Sequence, residues 1–145
     1  MNGPFGGLSI DREPGQGFVL IAGGIGITPL RSMILTMKDR GDVRPVVLLC
    51  AANNFEAAVY HQELETLQSQ MNLKVVFVLA EPPSTWTGER GHIDAALLKR
   101  YLPAQFMRFQ YFVCGPSAMM DAMETHLTEL GLPRSCVHSE RYDVV

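Results

Sequence analysis

From Gly17 onward, unbroken apolar runs alternate with stretches whose apolar residues recur every three or four positions. Runs at residues 18–22, 45–51, 73–80, 109–114 and 136–140 mostly lack the alternation of a sheet with one wet face. They predict strands covered on both sides. Between them, Leu30, Met33, Ile34 and Met37 form one helical stripe, and Ala57, Tyr60, Leu64, Leu67 and Met71 a second. Asp94 predicts the cap of a shorter helix, with Ile93 and Leu98 placed as a hydrophobic staple. A fourth helix is expected from Pro116 or Ser117 through Met119, Met123, Leu127 and Leu130, ending at Gly131 with Pro133 beyond.

Five strands joined by helical crossovers imply an α/β fold: a doubly wound, five-stranded parallel sheet with helices on both faces, Rossmann-like in plan. Ligands of such sheets bind beyond the carboxyl ends of the strands, beside strand one. That rule gathers three segments: the turn after Ala22, residues 51–54, and Cys114-Gly115-Pro116. The first of these, Gly23-Gly24-Ile25-Gly26-Ile27-Thr28-Pro29, joins a buried strand directly to a helix. Unpaired N–H groups and the positive end of the helix dipole then converge where a phosphate fits. Gly23, Gly24 and Gly26 carry no side chain to hold a diphosphate away, and they permit positive φ. Thr28 fits the N-cap and Pro29 the first helical position. The same segment also reads as an ordinary glycine turn, and Pro29 stands where the Gly-x-Gly-x-x-Gly fingerprint has its third glycine.

Composition narrows the field. At 145 residues the chain suits one domain, with residues 1–16, rich in glycine and proline, as a connector and 17–145 as the domain. The net charge of −3 offers no basic footprint for nucleic acid. No apolar run reaches the ~18 residues that cross a bilayer. Three widely spaced cysteines form no disulfide framework and no metal-ligand spacing, and the four histidines add none, so no metal is expected. Reduced thiols point to the cytoplasm. The eight methionines read as core filler and Trp86 as a loop anchor.

The glycine turn followed far downstream by Cys114-Gly115-Pro116 resembles the nicotinamide-binding domain of the ferredoxin–NADP reductase and cytochrome b5 reductase superfamily. Gly88-Glu89-Arg90-Gly91-His92-Ile93 is similar to that family's Gly-x-x-Gly-x-Ile stretch, and Glu140-Arg141-Tyr142 to its terminal Glu-x-aromatic element. Gly3-Pro4-Phe5-Gly6 is similar to the tail of the flavin-binding barrel that precedes the domain in relatives, whose Arg-x-Tyr-Ser/Thr motif does not occur here. The resemblance implies an NAD(P)H-dependent flavin oxidoreductase component, incomplete as this chain. Hydride would pass from NADH, less readily NADPH, to FAD on the absent barrel. Electrons would then pass to a haem, an iron–sulfur centre, ferric iron or an oxygenase. A membrane domain elsewhere in the full-length protein would place it on the cytoplasmic face of a membrane. The alternatives are a non-catalytic nucleotide-binding or sensing module that lost its flavin domain, and a subunit that borrows flavin from a separate chain.

The resemblance also implies residue roles. Gly24, Gly26 and Thr28 would cradle the pyrophosphate, with Gly23 and Pro29 in the same turn. Cys114 would lie beside the nicotinamide C4 edge, Gly115 and Pro116 would fix that turn, and Met119 would line the wall. Glu140 would orient the nicotinamide or relay protons, and Tyr142 would cover the flavin. Read from the residues alone, Cys114 is equally a small buried apolar side chain and Glu140 a solvated carboxylate near a terminus. Asn53 and Asn54 stand where NADPH-using relatives present an arginine. None of Ala52, Asn53, Asn54 and Phe55 is basic, and Ala52-Asn53 resembles the Ala-Asn of NADH-dependent members. Arg90 would approach the phosphates or form a surface ion pair.

Overall fold

A computed structural model describes residues 16–54 and 60–141. The glycine turn grows out of strand β1 (Phe18–Gly23), whose six residues are all buried. Helix α1 (Ile27–Asp39) leads to β2 (Val46–Ala52), and α2 (His61–Leu67) leads to β3 (Leu73–Leu79). After β4 (Glu89–Arg90) and α3 (Ala95–Tyr101) come β5 (Gln110–Gly115), α4 (Ser117–Glu129) and β6 (Val137–Arg141). The sheet order is β4-β3-β2-β1-β5-β6, all pairs parallel. Successive strands step outward from β1 to β3, and β5 then returns to the other side of β1. The winding therefore reverses between β1 and β5, where such sheets open a crevice.

The apolar runs are unbroken because alternate residues feed two cores. Phe18, Leu20, Ala22, Leu48 and Phe112 pack with Leu30, Ile34 and Met37 of α1 and Leu64 and Leu67 of α2. Val19, Ile21, Leu49, Val78 and Val113 pack with Leu97 and Leu98 of α3 and Met120, Met123 and Leu127 of α4. Asp94 caps α3, its carboxylate accepting the Leu97 N–H at 2.8 Å. Gly131 (φ +88) closes the chain behind α4. Among the described residues no helix is long and apolar enough to cross a membrane.

The doubly wound plan is as the sequence predicts, with one correction: six strands, not five. The sixth, Glu89–Arg90, pairs with Val78 and Leu79 of β3. Its two residues are charged and bear no apolar pattern. Side chains hold it in place: Glu89 Oε1 accepts from Arg100 Nη2 and Oε2 from the Tyr101 hydroxyl, each at 2.6 Å. The Trp86 indole N–H donates to the Glu89 carbonyl at 2.8 Å, which makes Trp86 the anchor of this loop. Arg90 donates to the Trp86 carbonyl. The second helix is shorter than its stripe: Met71 lies beyond it, Tyr60 precedes it in the left-handed region (φ 67), and Ala57 falls outside the described residues.

The start of α1 needs a second correction. Gly24–Gly26 already winds into a 3-10 turn that runs straight into the helix, with Gly26 at the cap and no side-chain capping bond. Thr28 is therefore the second helical residue and not the N-cap, and Pro29 is the third and not the first. Pro29 still lies within the first turn of α1, where a proline is tolerated. Only Gly24 of the three glycines has positive φ (+56); Gly23 lies at −127 and Gly26 at −61.

Candidate functional site

The ends of β1, β2 and β5 converge on a crevice of about 470 Å³, within the range of small-molecule sites. Gly23 and Gly24 form one edge, Asn53 a second, and Pro116 and Met119 a third. Gly24 is exposed, and a Cβ placed on it would meet nothing within 4 Å. Its missing side chain thus leaves free space directly beside the 3-10 turn, with no side-chain cap covering the N-terminal end of α1. That is the geometry an anionic diphosphate requires. Gly26 is glycine for the opposite reason: a Cβ there would stand 2.1 Å from the Cys114 carbonyl oxygen. The turn is pressed against the end of β5, so the glycine loop and the Cys114-Gly115-Pro116 turn form one unit.

Cys114 pairs in register with Ala22 on one side and Glu140 on the other. Its side chain is 0 % exposed and packs into the core on the α1 side. Burial first, and the Glu140 charge second, push its thiol pKa up to about 12. The group is therefore a neutral thiol at neutral pH, small and polarisable, and not a thiolate nucleophile or metal ligand. Cys50 is pushed up to about 12 by burial alone. No group of His, Cys, Asp and Glu among the described residues could hold a metal ion.

The structure brings Gly23, Gly24, Asn53, Pro116 and Met119 to the crevice. Gly26, Cys114 and Gly115 are buried beside it, and Glu140, half-buried, lies one strand further out. Thr28 is exposed and Pro29 half-exposed on the first turn of α1, and Asn54 follows Asn53 at the rim. Tyr142 and the connector before Gln16 lie outside the described residues. Pairing beyond the strand ends shapes the rim as well: the Asn53 carbonyl accepts the Glu81 N–H at 2.7 Å.

Ala51 and Ala52, at the end of β2, line the crevice as the sequence leads one to expect, but sequence reasoning missed its far wall. Ala80 follows β3, His92 and Ile93 follow Gly91, and Ala118 and Ala122 lie one turn apart on α4. Alanines facing a void carry no signal of their own. The pair four residues apart at the start of α4, just after the Cys114 turn, is the one trace a sequence offers.

Residues 20–125 match the oxidoreductase NAD-binding domain family. Over 98% of its length the chain is 31% identical to the electron transfer component XylA of the Pseudomonas putida xylene/toluene monooxygenase, of which it spans 41%. It is 32% identical over 89% of its length to NADH-cytochrome b5 reductase 1 of Mortierella alpina, spanning 44% of that protein. Among solved structures, the CS-b5R domains of human Ncb5or in the NAD+ form superpose with a TM-score of 0.79 at 28% identity, over 93% of this chain and 39% of that one. The chain thus spans less than half the length of each.

Proposed function

The chain belongs to the oxidoreductase NAD-binding domain family, and on that premise we propose that its crevice binds NADH and presents the nicotinamide to a flavin carried on a barrel outside these residues. The observation that carries this reading is the contact of Gly26 with the Cys114 carbonyl. A diphosphate held at Gly24 then lies one strand from the Cys114 turn, and the dinucleotide crosses the strand ends from one to the other. Gly24 and the first-turn N–H groups hold the diphosphate, joined by the Thr28 hydroxyl, while Pro29 stiffens that turn. Gly115 and Pro116 shape the turn under the reducing ring. The neutral Cys114 thiol leaves room for the ring to lie flat, and Glu140 orients it. Tyr142 covers the flavin when nicotinamide is absent.

Asn53 and Asn54 face the adenosine ribose. A 2′-phosphate wants a guanidinium fork, and these amides offer none; NADH is therefore favoured over NADPH. FAD supplies acceptance of a hydride and release of electrons one at a time. This chain contributes orientation, which lowers the barrier by fixing the reacting atoms at near-attack distance. The electrons go to a haem, an iron–sulfur protein, ferric iron or an oxygenase component, and residues 1–16 form the connector to the flavin barrel. Three free, buried cysteines favour a reducing cytoplasmic setting.

A second reading, a nucleotide-binding module without catalysis, is favoured by the sealed Cys114 thiol, 0 % exposed. Stopped-flow flavin reduction by NADH, with this domain joined to its flavin barrel, separates the two. Catalysis predicts fast reduction that slows about tenfold or more in Cys114→Ala and Glu140→Ala. Rates unchanged in both variants would overturn those assignments.

A further inference from the structure

Gly23 and Gly115 are not glycine for conformational reasons, since neither adopts a positive φ. What occupies their side-chain space is Met119. A Cβ on Gly23 would lie 2.4 Å from Met119 Sδ and 3.2 Å from its Cε. A Cβ on Gly115 would lie 2.6 Å from Cε and 3.2 Å from Sδ. One thioether therefore fills two adjacent hollows at the ends of β1 and β5. The same side chain is half-buried, lines the crevice and packs on the α4-side core. Its neighbour Met120 is 0 % exposed in that core, so the two methionines divide the labour of this helix turn.

We infer that Met119 is a positioning residue for the dinucleotide: seated in the hollows of Gly23 and Gly115, its thioether forms the floor that sets the height of the nucleotide above the strand ends. The inference rests on the dinucleotide reading of the same crevice. It reassigns the glycines. Of these three, Gly24 leaves its space to the ligand, whereas Gly23 and Gly115 leave theirs to the protein's own sulfur. A flexible, polarisable thioether suits this task because it fills an irregular hollow closely and yields slightly when a ligand settles.

Calorimetric titration of NADH into single and double variants of the chain tests it. Gly23→Ala and Gly115→Ala each push the thioether out of its seat into the crevice and weaken NADH about tenfold, the scale of overpacking a filled site. In a Met119→Ala background the hollow is empty, and the same glycine changes cost less than about twofold. Met119→Leu, close in volume, stays within about threefold of wild type. Glycine effects that persist at full size in the Met119→Ala background, or vanish in the wild-type background, overturn the inference. The ε-methyl resonance of Met119, assigned by its loss in Met119→Leu, reads the seat without nucleotide: Gly23→Ala moves it, and NADH moves it in wild type. A methyl that stays put in Gly23→Ala removes the seat. A methyl that moves there, in a chain that binds no NADH, keeps the packing and removes the dinucleotide reading together with the positioning role.

Discussion

The two walls of the crevice are built from different materials. Along β1 and the start of α1 the wall is backbone: Gly24 offers open space at φ +56, and Gly26 is jammed against the Cys114 carbonyl. Along the start of α4 the wall is side chain: Met119, Ala118 and Ala122. Backbone geometry is all-or-none, because one added carbon either clashes or points into the ligand's place. A side-chain wall is graded, since side chains yield by rotation. Function on the first wall should therefore fail abruptly, and on the second by degrees.

The sharpest break is expected at Gly26. Gly26→Ala drives a carbon to 2.1 Å from a backbone oxygen, where neither partner can rotate away. A loss of at least about 3 kcal/mol follows, read as a melting temperature lower by about 6 °C or more. A variant as stable as wild type would show that the turn does not pack on β5.

Next in size is an alkaline loss of stability from the two buried thiols that flank Ala22, Cys50 and Cys114. Both have folded-state pKa values pushed up to about 12, against about 8.5 in the unfolded chain. A raised folded pKa means the unfolded state releases its protons first. The contribution is complete below about pH 8.5 and is lost as pH rises toward 12. Urea unfolding at pH 7 and pH 10.5 should differ by a few kcal/mol, and Cys50→Ala should shrink the difference.

Gly24→Ala separates conformation from contact. Positive φ costs an alanine about 1 kcal/mol of stability, yet the new carbon meets no protein atom within 4 Å. The fold survives, while NADH should bind about tenfold more weakly because the carbon takes the diphosphate's space. Smallest for the fold is Asn53→Arg at an exposed rim position, with stability unchanged within about 0.5 kcal/mol. NADPH affinity should rise severalfold as a guanidinium meets the 2′-phosphate. Competition binding of the two nucleotides reads this directly, and an unchanged ratio would place the adenosine ribose elsewhere.

The backbone wall was also the legible one. A buried strand, three glycines and a helix leave a local trace, and so does the double coverage that turns Phe18, Val19, Leu20, Ile21 and Ala22 into one apolar run. Asp94 was readable because a cap acts on its own next turn. Thr28 misled because capping preference assumes the helix starts at the first good cap, whereas Gly24–Gly26 had already begun to wind. The strand Glu89–Arg90 is invisible in pattern because distant partners, Arg100 and Tyr101, hold it. Met119 had two readings, core filler and crevice wall. Its seat on Gly23 and Gly115 exists only once β1, β5 and α4 are brought together.

The central claim is that a diphosphate rests at Gly24 while the reducing ring reaches the Cys114 turn. A crystal structure of the chain soaked with NADH tests it most directly. The account predicts diphosphate oxygens within hydrogen-bond distance of the N–H groups of residues 24–28 and the nicotinamide against Cys114, Gly115 and Pro116. A dinucleotide bound at the opposite ends of the strands, or with its diphosphate away from Gly24, contradicts it.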